Sequence, residues 1–297
     1  MTQMKGFFPR IGLFAKPTGD GISETLNHVA GLLKQRQHQL YIEEECSTLL
    51  ESGAATVLPS SKIGRHCDLI IVIGGDGSLL KAARAIANDR VPILGINRGN
   101  LGFLADLSPY NLEETLTPIL DGKFYEEQRT MLQASIIKAG NIVSSHLALN
   151  DVVLHHGDIA RLIEFEIFVD DQFVIDQRAD GLITSTPTGS TAYALSGGGP
   201  IVYPTLEVLT LMPMFPHTLS TRPIVLNNKS KIKMIISPNN RVDAKISCDG
   251  QTHLALNNND EVHIQAYEHS LRLLHPKDYN YFAVLREKLG WNIQLTK

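Results

Sequence analysis

The chain has 297 residues, of which 43% are hydrophobic and 20% are charged, a composition typical of a soluble globular protein large enough for two domains. Its 27 lysines and arginines are outnumbered by 31 aspartates and glutamates, so nothing in the charge favours nucleic acid as the main partner, and we expect none. No apolar run approaches the roughly 20 residues that span a bilayer and the N-terminus lacks a secretory signal, so we expect a cytoplasmic protein with no membrane partner.

The first 123 residues alternate short apolar strands with helical periods. The predicted strands are residues 11–16, 40–44, 69–73 and 93–96, and the predicted helices begin near Ile22, Ser78 and Ser108. Such alternation is typical of a parallel sheet covered by helices, so we expect a Rossmann-like α/β domain over residues 1–123. Ligands of these sheets bind at the carboxyl ends of the strands.

The pattern changes after Lys123, where β-branched runs separated by turn residues replace the helical periods. Residues 131–138 and 142–149 predict a hairpin, and we expect further strands at residues 163–169, 224–226, 231–237, 244–248, 261–265 and 271–274. The sequence therefore predicts an all-β domain over residues 124–275. A last helix, with Asp278 as its cap, is expected to return to the first domain over residues 276–297.

The most informative stretch is LIIVIGGDGSLLK, which begins at Leu69. It predicts a buried strand, a turn of three glycines and the start of a helix. Gly74, Gly75 and Gly77 allow backbone amides to approach a ligand, and the helix start attracts anions, so this turn is a candidate phosphate site. A carboxylate among phosphates is repelled unless it handles a proton or a metal, and we therefore interpret Asp76 as the base that activates a hydroxyl.

This turn differs from two common nucleotide-binding motifs. No Gly-Lys-Ser/Thr closes it as in a Walker A loop, and the spacing of the Rossmann G-x-G-x-x-G fingerprint is absent. Lys81 follows one turn later, where it can reach a phosphate or remain an ordinary surface lysine.

A second informative stretch runs from Asp180 to Pro200, where serines, threonines and glycines surround Tyr193. Apolar residues inside it argue against a flexible linker. We interpret it as a binding surface made largely of backbone, in which the Tyr193 ring offers a flat face to a base.

Two shorter stretches leave alternatives open. Asn150-Asp151 can hold the vicinal hydroxyls of a ribose or can form an ordinary turn, and Cys248-Asp249-Gly250-Gln251 predicts a hairpin turn in which Gln251 is a possible polar contact. His155-His156 favours a polar loop, because adjacent histidines on a strand point to opposite faces. With three widely separated cysteines, we expect no metal site built by the protein and no disulfides.

Taken together in this order, these stretches and the loop GINRGNLGFLA at residues 95–105 resemble the bacterial NAD kinases over essentially the full length of the chain. The Gly-Gly-Asp-Gly turn alone is weak evidence for this family, because lipid kinases and phosphofructokinases carry similar turns. The resemblance implies transfer of the γ-phosphate of ATP to the 2′-hydroxyl of the adenosine ribose of NAD, with a divalent cation such as Mg²⁺, to give NADP.

The resemblance also implies roles for individual residues. Asp76 would deprotonate the 2′-hydroxyl, the backbone of Gly74, Gly75 and Gly77 would hold phosphates, and Asp151 stands where many members have glutamate. The residues expected to bind NAD are Asp76, Gly77, Lys81, Asn150, Asp151, Arg161, Arg178, Asp180, Thr191, Ala192, Tyr193, Ala194, Leu195, Ser196 and Gln251.

The resemblance further implies a homodimer or homotetramer in which the β domains pack together. Two alternative functions remain open from the residues themselves. One is a kinase of a lipid or sugar hydroxyl that shares the same turn, and the other is a dinucleotide sensor without catalytic activity.

Overall fold

The computed structural model describes residues 7–51, 53, 55–99, 102–157, 162–218 and 220–291. The chain divides into two compact units. Unit 1 comprises residues 1–128 and 271–297, and unit 2 comprises residues 129–270. None of the described helices is sufficiently long and apolar to cross a bilayer.

Unit 1 contains a seven-stranded sheet in the order β3-β2-β1-β4-β5-β19-β6. Its strands are β1 (Arg10–Ala15), β2 (Gln39–Glu43), β3 (Thr56–Leu58), β4 (Leu69–Gly74), β5 (Ile93–Asn97), β6 (Phe124–Arg129) and β19 (Leu271–Pro276). Five strand pairs of this sheet are parallel: β2 with β3, β1 with β2, β1 with β4, β4 with β5, and β5 with β19. This parallel sheet confirms the predicted α/β class of the N-terminal domain.

Helices cover this sheet because their apolar residues recur at helical spacing. They are α1 (Ile22–Gln35), α2 (Ser60–Ile63), α3 (Asp76–Ile86), α4 (Leu112–Leu120) and α6 (Tyr281–Leu289). Leu26, Val29 and Leu33 of α1 are fully buried, and they share one core with Leu116 of α4 and with the strands. α6, near the C-terminus, belongs to the same unit as this sheet.

Two details of unit 1 differ from the sequence-based expectation. β6 and β19 join the unit 1 sheet, although their sequences lie within the predicted all-β domain; a strand pattern does not reveal which sheet the strand will join. The cap of α6 is Asn280, whose Oδ1 accepts a hydrogen bond from the Ala283 amide at 3.0 Å, so the prediction of Asp278 as the cap was wrong.

Unit 2 contains two six-stranded sheets, in the orders β11-β10-β15-β18-β7-β8 and β14-β13-β12-β9-β16-β17. Its strands are β7 (Leu132–Lys138), β8 (Asn141–Ala148), β9 (Asp151–His156), β10 (Ile163–Val169), β11 (Gln172–Ala179), β12 (Gly181–Ser185), β13 (Val208–Met214), β14 (Ile224–Asn227), β15 (Ile232–Ile236), β16 (Ala244–Cys248), β17 (Thr252–Leu256) and β18 (Glu261–Ala266). A single-turn helix, α5 (Tyr193–Ser196), follows β12.

The pairs within these two sheets are antiparallel, and one strand pair is the predicted hairpin of β7 and β8. Buried residues of both sheets form one core, in which Phe165, Leu182 and Met234 are fully buried. The sheets therefore pack face to face, as alternating inward residues require. This arrangement confirms the predicted β-rich C-terminal domain.

The three cysteines are buried free thiols. Burial raises the pKa of both Cys46 and Cys67 to about 12, so these two thiols stay protonated at neutral pH.

Candidate active site

The glycine turn of unit 1 lies at the carboxyl end of β4, a strand that is buried along its whole length. Gly75 has an extended backbone and is the N-terminal cap of α3, which begins at Asp76, two residues before the predicted start at Ser78. No side chain among the described residues caps this helix. Backbone amides at an uncapped helix start, together with the helix dipole, are a common phosphate-binding arrangement.

The carboxylate of Asp76 is held by a loop that lies 27 to 29 positions further along the chain. Oδ2 accepts a hydrogen bond from the amide of Phe103 at 2.8 Å, and Oδ1 accepts bonds from the amides of Leu104 at 3.1 Å and Ala105 at 3.2 Å. These three donors fix the orientation of the carboxylate. The support of the carboxylate therefore comes from a segment distant in sequence.

A carboxylate has about four acceptor positions, two on each oxygen. The described donors use both positions of Oδ1 and one of Oδ2, so Oδ2 retains one position for a substrate hydroxyl. Gly102 makes this packing possible, because a Cβ atom at that position would lie 2.0 Å from Oδ1 of Asp76. The loop thus fixes Asp76 without occupying its whole carboxylate.

Two lysines near the turn, Lys81 and Lys16, differ in how readily they can contact a phosphate. Nζ of Lys81 lies 2.5 Å from a carboxylate oxygen of Glu45 in a largely exposed ion pair, which costs little to break. Lys16, which sequence reasoning missed, is exposed, and its amide donates to the Ile73 carbonyl at 3.0 Å. Lys16 therefore follows β1 directly beside the turn, a position that appears only when the strand order is known.

In unit 2, the backbone around Asn150 is fixed from two sides. The Asp249 carboxylate accepts hydrogen bonds from the amides of Leu149 at 3.0 Å, Asn150 at 2.8 Å and Asp151 at 3.4 Å. On the other side, the Thr186 amide donates to the Asn150 carbonyl at 2.9 Å. The Asn150 side chain is therefore presented by a rigid backbone, as recognition of a small ligand requires.

Asp249 is a functional candidate that sequence reasoning missed, because the stretch that contains it predicted only a hairpin turn. That turn is present: Asp249 and Gly250 both have positive φ angles, 52° and 61°, and they are the two central residues of a turn that the Gln251 amide closes by donating to the Cys248 carbonyl at 3.0 Å. Its partners lie 98 to 100 positions away, so no local pattern reveals them.

Asp151, the first residue of β9, is only 4% exposed. Burial, and secondarily the negative charge of Asp249, raise the pKa of the Asp151 carboxyl to about 7. Near neutral pH this carboxyl can therefore donate a hydrogen bond as well as accept one.

This pKa predicts a specific pH dependence of stability. The carboxyl of Asp151 has a pKa of 3.8 when unperturbed and about 7 when folded, so the folded state holds a proton there between those pH values that the unfolded chain releases. The free energy of unfolding should therefore fall as pH rises from about 4 to about 7, by up to a few kcal/mol, relative to an Asp151→Asn variant. Urea unfolding of both proteins at several pH values measures this difference, and a difference independent of pH would contradict the assignment.

The hydroxyls after β12 serve mainly to hold the chain. Thr186 Oγ1 donates to the Leu149 carbonyl at 2.6 Å, and Ser190 Oγ donates to the Pro187 carbonyl at 2.6 Å while accepting from the Val202 amide at 2.9 Å. Thr191 Oγ1 donates to the Thr188 carbonyl at 3.2 Å. Buried hydroxyls need such partners, so this segment is a rigid scaffold that presents backbone and Tyr193.

Tyr193 lies between two cavities of unit 2. One, of about 470 Å³, is also lined by Asn150, Asp151 and Ala192, so the structure brings four of the predicted site residues together. The other, of about 480 Å³, is lined by Tyr193 and Ser196. The Tyr193 side chain is half exposed and can stack on a planar ligand from either cavity.

The remaining predicted residues lie elsewhere in unit 2 or outside the described residues. Arg178 is exposed on β11 and pairs with Glu164 at 3.1 Å, and Asp180 uses its amide to bond the Met214 carbonyl at 3.0 Å. Ala194 is buried, and the exposed Gln251 donates its amide to the Cys248 carbonyl. Leu195 is partly buried, and Arg161 lies outside the described residues.

Two family models match this chain. The ATP-NAD kinase N-terminal domain matches residues 11–124, and the ATP-NAD kinase C-terminal domain matches residues 149–275. An NAD kinase from Shewanella oneidensis is 49% identical over 288 residues, which cover 97% of this chain and 98% of that protein.

Two solved structures have a similar fold. A yeast NADH kinase complexed with NADH has a TM-score of 0.88 and 26% identity, over 97% of this chain and 90% of that one. An NAD kinase from Archaeoglobus fulgidus in complex with ATP has a TM-score of 0.74 and 27% identity, over 95% of this chain and 98% of that one. With both of its domains matched and a relative at 49% identity along nearly its whole length, the chain belongs to the ATP-NAD kinase family.

Proposed function

We propose that this protein transfers the γ-phosphate of ATP to the 2′-hydroxyl of the adenosine ribose of NAD, giving NADP and ADP. The observation that carries the proposal is the Asp76 carboxylate at the start of α3, beside the glycine turn, with one acceptor position left on Oδ2. A fixed carboxylate next to a phosphate-binding helix start is the arrangement that phosphoryl transfer to a hydroxyl needs.

In this mechanism, Asp76 Oδ2 accepts the proton of the 2′-hydroxyl as the hydroxyl oxygen attacks the γ-phosphorus. The bond between that phosphorus and the oxygen that bridges it to the β-phosphate breaks, and ADP leaves with those electrons. The amides of the glycine turn would hold phosphate oxygens, and Lys16, whose backbone lies beside the turn, is a candidate to contact them. Positioning and charge neutralisation provide most of the catalysis in such reactions.

Unit 2 would hold the adenosine part of NAD. Asn150 and the protonated Asp151 offer donors and acceptors to ribose hydroxyls, and the Tyr193 ring offers a face to adenine. Asp249 contributes by fixing the backbone of Asn150 and Asp151 rather than by contact with substrate.

We further propose that a divalent cation, most simply Mg²⁺, enters with ATP. Because Asp76 has no acceptor position left once the substrate hydroxyl is bound, we expect phosphate oxygens of ATP to hold this hard cation. When bound, the cation neutralises charge on the phosphates.

We also propose a cytoplasmic location and a homodimer or homotetramer. Exposed apolar side chains on unit 2 strands, such as Ile142 at 69% and Phe173 at 58%, support self-association.

A panel of acceptors tests the function against a lipid or sugar kinase. The purified protein with ATP and Mg²⁺ should phosphorylate NAD, and should not phosphorylate diacylglycerol in micelles or a hexose phosphate. ATP-dependent turnover of the lipid or the sugar without NADP formation would overturn the proposal. Tight NADP binding without turnover of any acceptor would support the sensor instead.

A further inference from the structure

A buried group of ionisable side chains in unit 1 takes no part in the mechanism described above. His275, near the end of β19, is 0% exposed. Its Nδ1 lies 2.8 Å from Oδ2 of Asp106, and its Nε2 lies 3.5 Å from a carboxylate oxygen of Glu127 on β6. The side chains of both acidic residues are buried as well. Apolar residues would fill this space at a lower desolvation cost, so the polar group indicates a role other than packing.

Two tyrosines set the orientation of the His275 ring. The ring of Tyr279 stacks on it, with the two centroids 3.8 Å apart and the planes inclined by 14°. The ring of Tyr125 lies beside both, 6.3 Å from that of His275 and 6.4 Å from that of Tyr279. Because a carboxylate accepts hydrogen bonds, we assign to Nδ1 the proton that points at Asp106. The imidazole is therefore a fixed donor to this one side chain.

Asp106 directly follows the loop at residues 103–105, whose three amides hold the Asp76 carboxylate. Its Oδ1 is buried and has no hydrogen-bond partner within the part of the chain that the structure describes, and its Oδ2 faces His275. Within that part of the chain, the hydrogen bond from His275 is thus the one that holds the Asp106 side chain.

The backbone beyond Asp106 is held separately, by β5. The amide of Leu107 donates to the carbonyl of Gly95 at 3.2 Å, and the carbonyl of Leu107 accepts from the amide of Asn97 at 2.8 Å. The segment that supports Asp76 therefore has two anchors just after it: a backbone anchor at Leu107 and a side-chain anchor at Asp106.

Burial determines which kind of role His275 can have. A side chain with no exposed surface cannot touch a substrate, so His275 is not a catalytic residue. It can act only through the Asp106 contact, and from there through the loop amides on Asp76. Such indirect support matters because a displacement of about 1 Å at a reacting group costs roughly a hundredfold in rate.

We propose that His275 is a positioning residue for Asp76. By holding Asp106, it keeps the loop at residues 103–105 where its amides present the Asp76 carboxylate to the acceptor hydroxyl. The inference rests on the proposed function, since Asp76 is the base in that reaction.

Two substitutions of His275 separate its hydrogen bond from its stacking. His275→Asn keeps an N–H donor near the position of Nδ1 but loses the ring, whereas His275→Phe keeps a ring but loses the donor. We expect His275→Phe to lower kcat for NADP formation about tenfold to a hundredfold and to leave KM for NAD and for ATP within about threefold of the wild type. His275→Asn should retain most of kcat. The reverse order of the two variants would show that only packing matters and would overturn the proposal.

The matched control is His38→Phe. His38 is a second buried imidazole of unit 1, and its Nδ1 lies 2.7 Å from the carbonyl oxygen of Phe8, which is not part of the loop. This variant should lower the melting temperature and leave kcat unchanged. In an Asp76→Asn background, His275→Phe should cause no further loss of kcat, because there is no base left to position; a full additional loss would contradict the positioning role.

Amide hydrogen exchange tests the same role without any activity. His275→Phe should speed exchange at the amides of residues 103–105 about tenfold or more, while His275→Asn and His38→Phe should not. Wild-type exchange in His275→Phe would overturn the proposal. If the wild type formed no NADP, the proposed function would fail, and exchange would still decide whether His275 holds the loop. If NADP formed at the wild-type kcat in His275→Phe, only the positioning role would fail. Should His275→Phe not fold, His275→Gln, whose amide lies near the position of Nε2, replaces it in every comparison.

Discussion

Replacing Asp76 by asparagine is expected to lower kcat for NADP formation by about a hundredfold to ten-thousandfold, the usual contribution of a general base. Asparagine has almost the same shape and keeps one acceptor for the loop amides, but it cannot take the proton of the 2′-hydroxyl. The Kd of NAD, measured by calorimetry, should change by less than about tenfold, since the residues proposed to bind adenosine belong to unit 2.

A second variant distinguishes catalysis from a purely structural role. Gly102→Ala places a Cβ atom 2.0 Å from the present position of Asp76 Oδ1, so it displaces the carboxylate without removing its charge. We expect a loss of kcat in this variant too. If Asp76→Asn lowered the melting temperature but left kcat intact, Asp76 would be only an anchor for the loop at residues 103–105.

Replacing Asp249 by alanine is expected to abolish saturable NAD binding and to destabilise the protein. The variant leaves the amides of Leu149, Asn150 and Asp151 without their acceptor, and a buried amide without a partner costs about 1 to 3 kcal/mol. We expect the free energy of unfolding to fall by about 3 kcal/mol, and the Asn150 side chain to lose its fixed position.

Asp249→Asn should have an intermediate effect, because its amide retains one carbonyl acceptor. The matched control is Asp243→Asn, an exposed aspartate next to β16 whose contact with Gly157 is made by its backbone carbonyl. A wild-type Kd for NAD in Asp249→Ala would show that Asn150 does not need this support. Urea unfolding and calorimetry provide both measurements.

The sequence was sufficient for features that depend on local pattern. The apolar run from Leu69 to Ile73 predicts β4, and the helical spacing after Ser108 predicts α4. Ser108 itself caps a short 3₁₀ turn, Pro109–Asn111, that precedes α4, and its Oγ accepts the Tyr110 amide at 3.3 Å. Turns such as Asp249-Gly250 were also predictable, because few residues adopt the required φ angles.

Features that depend on contacts distant in sequence were not predictable. The pattern of β19 is that of any buried strand, and nothing in it specifies β5 as its neighbour. Asp76 is visibly unusual among glycines, but its amide partners at residues 103–105 emerge only in the fold. The sequence indicates only a turn at Asp249, and the hydrogen bond that its carboxylate accepts from the Asn150 amide is visible only in the fold.

The position of the new phosphate tests the central claim most directly. Phosphorus NMR of NAD, ATP and Mg²⁺ incubated with the protein should show a monoester on the 2′-oxygen of the adenosine ribose, formed in equal amount with ADP, and Asp76→Asn should slow the growth of both signals together. A monoester on another hydroxyl, or ADP formed without any phosphorylated dinucleotide, would contradict the account.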